Sequence, residues 1–319
     1  MTELPFSLAW KIKPVPPYSF ELTMRKPAGW PLFSNFEVYE NEVIWTSTHI
    51  MGELAGIRIS NEGMTERPKL SAEIFLQRKP PPQKARNLKR TLEHDIGADE
   101  DLGPFYSLAK GDGILRHAIR DLHGMHDTSQ DTIFPDASLS ILLQMAPLKR
   151  SDEMMDCYIT NYGEEAEFDS KTIPAWPLPE RIAHVGPEEL ASKCKLGYRA
   201  RRIVELARRI AEHGFPSIEE LEHMDPDEAK RLLLDLPGIG SYSADIIDPH
   251  GGFPIDVWSA DVFGLLFFGE EPKDKRKEIP RIKETGLKRW GKWSWMAFFY
   301  IVQDLGNLSR ALDLELRME

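Results

Sequence analysis

The hydrophobic pattern of the chain changes near residue 100. Before it, Phe20–Met24 and Val43–Ile50 show short alternations rich in β-branched and aromatic residues, and a period of two is typical of half-buried strands. These segments predict a small antiparallel sheet in the N-terminal part of the chain. A Pro-rich basic connector around residue 80 precedes a predicted helix over Ala85–His94.

From Leu102 onward, apolar residues recur with the 3.6-residue period of amphipathic helices. Helix start signals agree: in Asp225-Pro-Asp-Glu228, the first Asp suits an N-cap and Pro suits the first helical position. The predicted fold class is therefore α+β, with an antiparallel sheet domain over residues 1–104 and a mostly helical region over residues 105–319. The predicted helices cover Gly113–Leu122, Ala137–Gly163, Pro187–Lys193, Ala200–His213, Ser217–Met224, Asp227–Leu236, Tyr242–Asp248, Ser259–Phe268, Arg276–Trp290 and Trp293–Leu305.

A short turn between two predicted helices is the most informative segment. One helix ends at Leu236, a Pro-Gly-Ile-Gly turn follows, and the next helix begins at once. The glycines permit positive φ and a close approach of the backbone to a ligand, and the unpaired amides that open the second helix attract phosphate oxygens. The alternative interpretation is a plain cap between two helices. The residues predicted to bind a nucleic-acid backbone are Pro237, Gly238, Ile239, Gly240 and Ser241.

Two further segments give the turn a family context. Ser243-Ala244 opens the second helix, and Pro254-Ile-Asp256 follows after a loop. With these motifs the chain resembles the helix-hairpin-helix DNA glycosylase superfamily, whose members carry Leu-Pro-Gly-(Val/Ile)-Gly, then (Thr/Ser)-Ala, and later Pro-(Val/Ile)-Asp. Upstream, Leu196-Gly-Tyr-Arg-Ala200 resembles the alkylpurine and 8-oxoguanine branches. The resemblance covers nearly the whole chain and is strongest over residues 187–263.

The resemblance implies an N-terminal sheet domain followed by two helical subdomains, with the active-site cleft between them. Hydrolysis of an N-glycosidic bond passes through an oxocarbenium-like sugar cation, which a carboxylate near the anomeric carbon stabilises. The motif assigns this role to Asp256. Asp261 is a competing carboxylate five residues on, at a position where the family often has a basic residue.

The family's bifunctional members attack the sugar with a lysine that stands two residues after the last hairpin glycine. That position is Tyr242 here, and a phenol cannot form the imine required for strand cleavage. The resemblance therefore favours a monofunctional enzyme that leaves an abasic site, with Lys193 or Lys195 as alternative sources of an amine. The base must also leave the duplex for a pocket. The residues assigned to that pocket are Tyr242, Trp258 and Gln144, and the last is equally compatible with a capping or solvated amide.

The predicted function is monofunctional excision of an alkylated or deaminated purine from double-stranded DNA in base excision repair. The alternatives are an 8-oxoguanine-type glycosylase, a thymine or uracil mismatch glycosylase, and a non-catalytic DNA-binding protein that uses the hairpin. We predict no organic cofactor and no iron–sulfur cluster, since the chain has only two cysteines. A monovalent cation at the hairpin backbone carbonyls would fit the family.

The charge of the chain restricts how DNA is bound. With 40 basic and 51 acidic residues, the net charge is 40 − 51 = −11, which argues against polyanion binding across the whole surface. Segments 193–209 and 273–292 are local exceptions, each with six more basic than acidic residues. Arg199 and Arg201 of the first segment are predicted to contact the DNA backbone. For the second, a solvated face of paired charges is an equal alternative.

The remaining expectations concern the cellular context. The N-terminus carries no basic segment followed by an apolar run, and no apolar stretch reaches membrane-spanning length. We predict an intracellular monomer, cytoplasmic at the nucleoid or nuclear, with no membrane partner. Cys157 and Cys194 lie far apart and in no CxxC arrangement, so we expect no disulfide framework and no metal bound by side chains.

Overall fold

The computed structural model describes residues 1–28 and 33–317 and divides the chain into two compact units. The predicted division into a sheet domain over residues 1–104 and a helical region over residues 105–319 stays a prediction. The predicted cleft between helical subdomains stays a prediction. The first unit comprises residues 1–101, 124–220 and 236–238, and the second comprises residues 102–123, 221–235 and 239–319.

The strands form two sheets in the first unit. A five-stranded antiparallel sheet has the order β2-β6-β5-β4-β3, and a three-stranded sheet has the order β1-β7-β8. The first confirms the predicted N-terminal antiparallel sheet, and Val43–Ile50 is its strand β4. The strands are β1 Thr2–Glu3, β2 Phe6–Ile12, β3 Val38–Glu40, β4 Val43–Ile50, β5 Glu53–Asn61, β6 Leu70–Leu76, β7 Glu164–Phe168 and β8 Lys171–Ala175.

The helices confirm the predicted α+β class. The Asp225 side chain accepts from the amides of Asp227 and Glu228, at 3.0 and 3.2 Å, as its N-cap assignment requires. Within the described ranges, no helix is both long and apolar enough to cross a membrane. The α-helices are α1 Phe20–Met24, α2 Pro82–Asp95, α3 Gly103–Lys110, α4 Leu115–Asp121, α5 Ile133–Leu143, α6 Leu148–Tyr162, α7 Pro179–Ala183, α8 Pro187–Lys193, α9 Arg199–His213, α10 Ile218–Glu222, α11 Pro226–Leu234, α12 Ser241–Ile247, α13 Ser259–Phe268, α14 Lys275–Trp290, α15 Ser294–Gln303 and α16 Leu305–Leu312, and Gly291–Trp293 is a 3₁₀ turn.

Two predicted elements were wrong. Phe20–Met24 is helix α1 rather than a strand, because its buried residues Phe20, Thr23 and Met24 follow a helical spacing that five residues do not reveal. The single helix predicted over Ala137–Gly163 is two helices, α5 and α6. The break between them contains Met145 at φ +52° and Pro147, which suits a helix start and disfavours a helical residue before it.

The cysteine expectation was also wrong. Cys157 of α6 and Cys194, which follows α8, form a disulfide with their Cα atoms 5.4 Å apart. Their separation of 37 residues in the sequence gave no measure of their separation in space, because the β7–β8 hairpin between the two helices returns the chain to α6. One disulfide therefore links two elements of the first unit.

An aromatic cluster in the second unit anchors the segment that carries Asp256. The Phe253 ring packs edge-on against Phe263 and Trp290, at centroid distances of 4.9 and 5.5 Å. Gly286 of α14 allows this packing, because a Cβ there would overlap the Phe253 ring. The chain just before Asp256 is thus held in place by close packing. Protein interiors are dense, so added side-chain volume at Gly286 would be destabilising.

The carboxyl of Asp136 should make the free energy of unfolding depend on pH. Burial, and then the negative charge of Asp127, raise the pKa of Asp136 in α5 to about 7. When the pKa of a carboxyl is raised in the folded state, the free energy of unfolding of the protein falls as the pH rises from the pKa of the unfolded state to that of the folded state. Asp136→Asn, which stays neutral, should therefore raise the free energy of unfolding at pH 8 by about 1–3 kcal/mol and change it little near pH 4. Urea unfolding at both pH values checks this, with exposed Asp235→Asn as the control; equal gains at both pH values would contradict it.

Candidate functional site

Of the two hairpin glycines whose freedom the sequence analysis invoked, only Gly238 has a positive φ. Gly238 has φ +81°, and a Cβ there would lie 2.9 Å from Cβ of Arg202, so two constraints require glycine at this position. Gly240 is extended at the N-cap of α12, and its carbonyl accepts from the Ala244 amide at 2.8 Å. Ile239 is buried, as an anchor of the turn should be.

Gln144 is the centre of a hydrogen-bonded cluster in the first unit. Its Nε2 donates to the Gly238 carbonyl at 2.9 Å, while Arg202 Nη1 donates to its Oε1. Its backbone carbonyl accepts from Tyr198 Oη at 3.2 Å and from Arg199 Nη2. The structure thus brings together three predicted site residues, Gln144, Arg199 and Gly238, and fixes the amide at both of its ends.

Sequence analysis missed two exposed side chains in this cluster. Met145 is 62% exposed and follows Gln144 directly, at the positive φ that breaks the helix. Tyr198 is 48% exposed, and the guanidinium groups of Arg199 and Arg202 lie 4.8 and 4.7 Å from its ring centroid. Exposed apolar and aromatic groups beside cations suit contact with nucleic acid. The available signal was Met145 itself, a large apolar residue at a helix break.

Asp256 caps the helix that follows it. Helix α13 is assigned from Ser259, but the Ala260 amide already donates to the Asp256 carbonyl at 3.0 Å, so the first turn begins at Asp256. Oδ1 of Asp256 accepts from the Trp258 amide at 3.1 Å and from the Ser259 amide at 2.8 Å. The Ser259 hydroxyl also donates to Oδ1, at 2.8 Å. Among the described residues, Oδ2 accepts no hydrogen bond and is available to a ligand.

Tyr242 lies in the first turn of α12, where the charge of Asp256 affects its pKa. Burial, followed by the negative charge of Asp256, raises the pKa of the Tyr242 phenol. The phenol is therefore neutral at physiological pH, and it contributes a polar O–H without competing for negative charge. The structure thus brings Tyr242 and Asp256 within electrostatic range in the second unit.

Trp258 and Asp261 line a mainly polar surface pocket of about 340 Å³ in the second unit. Lys275 Nζ forms an ion pair with Asp261 Oδ2. Asp261 Oδ1 and Trp258 Nε1 are buried and have no hydrogen-bond partner among the described residues. The lysine neutralises Asp261, which makes this carboxylate a weaker competitor than Asp256 for stabilising a sugar cation.

The second helix of the hairpin is held by a buried ionic network that the sequence did not indicate. The Asp245 side chain is 4% exposed and pairs with Lys230 of α11 at 2.6 Å and with Lys283 of α14. Lys283 Nζ also donates to Ser241 Oγ at 2.9 Å. A carboxylate buried with two cations keeps its charge compensated, and it ties α12 to both neighbours.

The basic segments differ in how their charges are used. In the first, Arg199 and Arg202 contact Gln144, whereas Arg201 is exposed and pairs with Glu205 at 2.8 Å. In the second, three of the nine cations pair with acids one turn away, as the solvated-face alternative predicts, while Lys275, Lys283 and Arg289 pair with acids of other elements. The pairs one turn apart are Lys277–Asp274, Arg281–Glu278 and Lys288–Glu284, at 3.2, 3.2 and 2.6 Å.

The described part of the chain contains no group of three or more His, Cys, Asp or Glu side chains placed to hold a metal ion. The Gly238 carbonyl already accepts from Gln144. A monovalent cation at the hairpin carbonyls, bound by backbone oxygens alone, stays a prediction. The predicted pocket residues fall in both units, with Gln144 in the first and Tyr242 and Trp258 in the second.

Comparison with known proteins gives the site a context. No family model matches the chain. A DNA-3-methyladenine glycosylase of Bacillus subtilis is 25% identical over 223 residues, which are 68% of this chain and 72% of the relative. A probable N-glycosylase/DNA lyase of Methanothermobacter thermautotrophicus is 25% identical over 217 residues, or 61% of this chain and 68% of the relative. The solved 3-methyladenine DNA glycosylase from Archaeoglobus fulgidus shares the fold, with a TM-score of 0.73, 21% identity and coverage of 92% of this chain and 98% of that one.

Proposed function

We propose that the chain is a monofunctional glycosylase for damaged purines, of the helix-hairpin-helix DNA glycosylase superfamily that its relatives and its fold support. It binds duplex DNA, extrudes an alkylated or deaminated purine and hydrolyses the N-glycosidic bond, which leaves an abasic site for base excision repair. The observation that carries the proposal is the Asp256 carboxylate, whose Oδ1 accepts three hydrogen bonds while Oδ2 accepts none from residues 1–28 and 33–317. It acts inside the cell as a monomer.

The chemistry follows from the charge that develops as the base departs. The sugar becomes cationic in the transition state, and a fixed carboxylate stabilises that charge more than it stabilises the neutral ground state. Asp256 is held by the backbone of its own helix start, so it does not have to reorganise during the reaction. The neutral phenol of Tyr242 leaves the negative charge of Asp256 available to the sugar.

The protein binds DNA through backbone amides more than through surface charge. The Gly240–Ser241 start of α12 offers amides to a phosphate, and the Lys283 ammonium, which pairs with Asp245, donates to Ser241 Oγ beside them. Gln144, tied to Gly238 and Arg202, suits the gap that a flipped base leaves in the duplex. Few phosphate contacts are needed, which agrees with the net charge of −11.

The substrate class rests on two lines of support. The Bacillus relative is named for 3-methyladenine, as is the Archaeoglobus structure with the same fold. The second relative is named as a lyase as well, but lyase chemistry requires an amine, and this chain has Tyr242 at the matching position. An alkylated purine and a monofunctional reaction are therefore the proposal that these observations favour.

The proposal is tested with defined substrates. Methylated duplex DNA is incubated with the protein and released purines are separated by chromatography; in parallel, duplexes with one hypoxanthine, one 8-oxoguanine or one G·T mismatch are assayed before and after alkali. We expect release of methylpurines or hypoxanthine, with strand breaks only after alkali. Release confined to 8-oxoguanine, or to mismatched thymine, would replace the substrate class. No release from any duplex, with DNA still bound, would indicate a binding protein.

A further inference from the structure

We propose that Ser259 is a positioning residue for the hydrolysis, because its hydroxyl fixes the Asp256 carboxylate with Oδ2 directed to the sugar. The inference rests on the proposed function, since it concerns the carboxylate to which that function assigns the chemistry. Ser259 itself makes no contact with the reacting atoms and acts through Asp256.

The contacts form a closed ring between the two residues. The Asp256 amide donates to Ser259 Oγ at 2.9 Å, and the same hydroxyl donates to Asp256 Oδ1 at 2.8 Å. The Ser259 amide donates to Oδ1 as well, at 2.8 Å. Ser259 therefore supplies two of the three donors to Oδ1, and the third is the Trp258 amide.

This arrangement resembles a capping box but differs from it in one respect. In a capping box, the third helical residue is Glu or Gln, and its side chain accepts from the N-cap amide. A serine hydroxyl can accept and donate at once, so here the side chain bonds both the backbone and the carboxylate of the cap. Ser259 is 1% exposed, which excludes water as a competitor for these bonds.

The hydroxyl matters because a carboxylate is otherwise free to turn. The terminal torsion of Asp is broad and nearly two-fold, and the two backbone amides both bind the same oxygen, Oδ1. The hydroxyl adds a third donor to Oδ1, which further restricts the plane of the carboxylate and the place of Oδ2. An error of about 1 Å at a reacting group costs about a hundredfold in rate.

A helix cap by itself would predict a different result. If Ser259 only stabilised the start of α13, its loss would lower the free energy of unfolding by about 1 kcal/mol and leave the rate of the folded enzyme unchanged. If Ser259 positions Asp256, its loss should instead slow the chemical step in a protein that still binds its lesion duplex. The two roles are thus separable in a single-turnover experiment.

The test compares Ser259→Thr with Ser259→Val, which have the same shape and differ only in the hydroxyl. With enzyme in excess over a duplex that wild-type cleaves, we expect Val to slow base release about 10–100-fold and Thr to stay within about threefold of wild-type. The Kd for the lesion duplex should stay within about twofold in both variants. Ser259→Ala, smaller and free of crowding, gives the same comparison should Val fail to fold.

Three outcomes decide the inference. Equal single-turnover rates for Thr and Val, with active wild-type, would overturn the role of Ser259 and leave the proposed function intact. Rate losses matched by equal losses in DNA affinity would also overturn it, since they indicate a general change of structure. Wild-type protein that releases no base from any lesion would overturn the proposed function and this inference together.

Discussion

Asp256→Asn is expected to slow base release about a thousandfold while DNA binding and thermal stability stay near wild-type values. Three donors converge on Oδ1, and the oxygen of an asparagine amide can accept all three. The cap of α13 therefore survives. What the variant loses is the negative charge at the Oδ2 position, where a neutral NH₂ group cannot stabilise a sugar cation.

Single-turnover release from the best lesion duplex measures the effect, with Kd for the same duplex measured alongside. Asp261→Asn is the matched control, because this carboxylate is already paired with Lys275, and it should change the rate by less than about threefold. A thousandfold loss in Asp261→Asn together with an active Asp256→Asn would transfer the chemistry to the second carboxylate.

Tyr242→Lys is expected to convert the enzyme from leaving abasic sites to cutting the strand. The change puts an amine two residues after the last hairpin glycine, within electrostatic range of Asp256, which already acts on Tyr242. Burial lowers the pKa of such an amine and the carboxylate raises it, so a reactive fraction persists at neutral pH. An amine that attacks the sugar forms a Schiff base, and elimination then breaks the backbone.

Strand breaks before alkali, and a protein–DNA adduct trapped by borohydride, are the two measurements. Tyr242→Gln is the control, with a side chain of similar reach and no amine; it should produce neither. Wild-type protein that already gives the borohydride adduct would contradict the monofunctional proposal and indicate that another lysine reaches the sugar.

The hairpin was predictable because its signals are local. The Pro-Gly-Ile-Gly turn lies between two periodic segments, and the positive φ of Gly238 belongs to the turn itself. The close approach of Arg202 to Gly238 is set by a distant residue and could not be predicted. The Asp225 N-cap was predicted on the same basis, and the structure confirms its hydrogen bonds. Motifs that satisfy their own backbone are specified over short distances in the sequence.

Features set by distant residues were missed. The Asp245 network joins three helices, and the disulfide joins residues 37 positions apart; neither follows from any local pattern. The sequence of α1 predicts a strand because five residues do not separate a period of two from one of 3.6. The break at Met145 was missed because the apolar pattern continues on both sides of it.

The pairing of β1 has a consequence for the order of events during synthesis. Thr2 and Glu3 lie parallel to Ala166 and Glu167 of β7, so β1 must wait during synthesis for a strand made more than 160 residues later. At about 5–20 residues per second, that wait is on the order of 10–30 s. All residues of the five-stranded sheet over Phe6–Leu76 are made long before, and β1 has no β7 to pair with until that strand emerges.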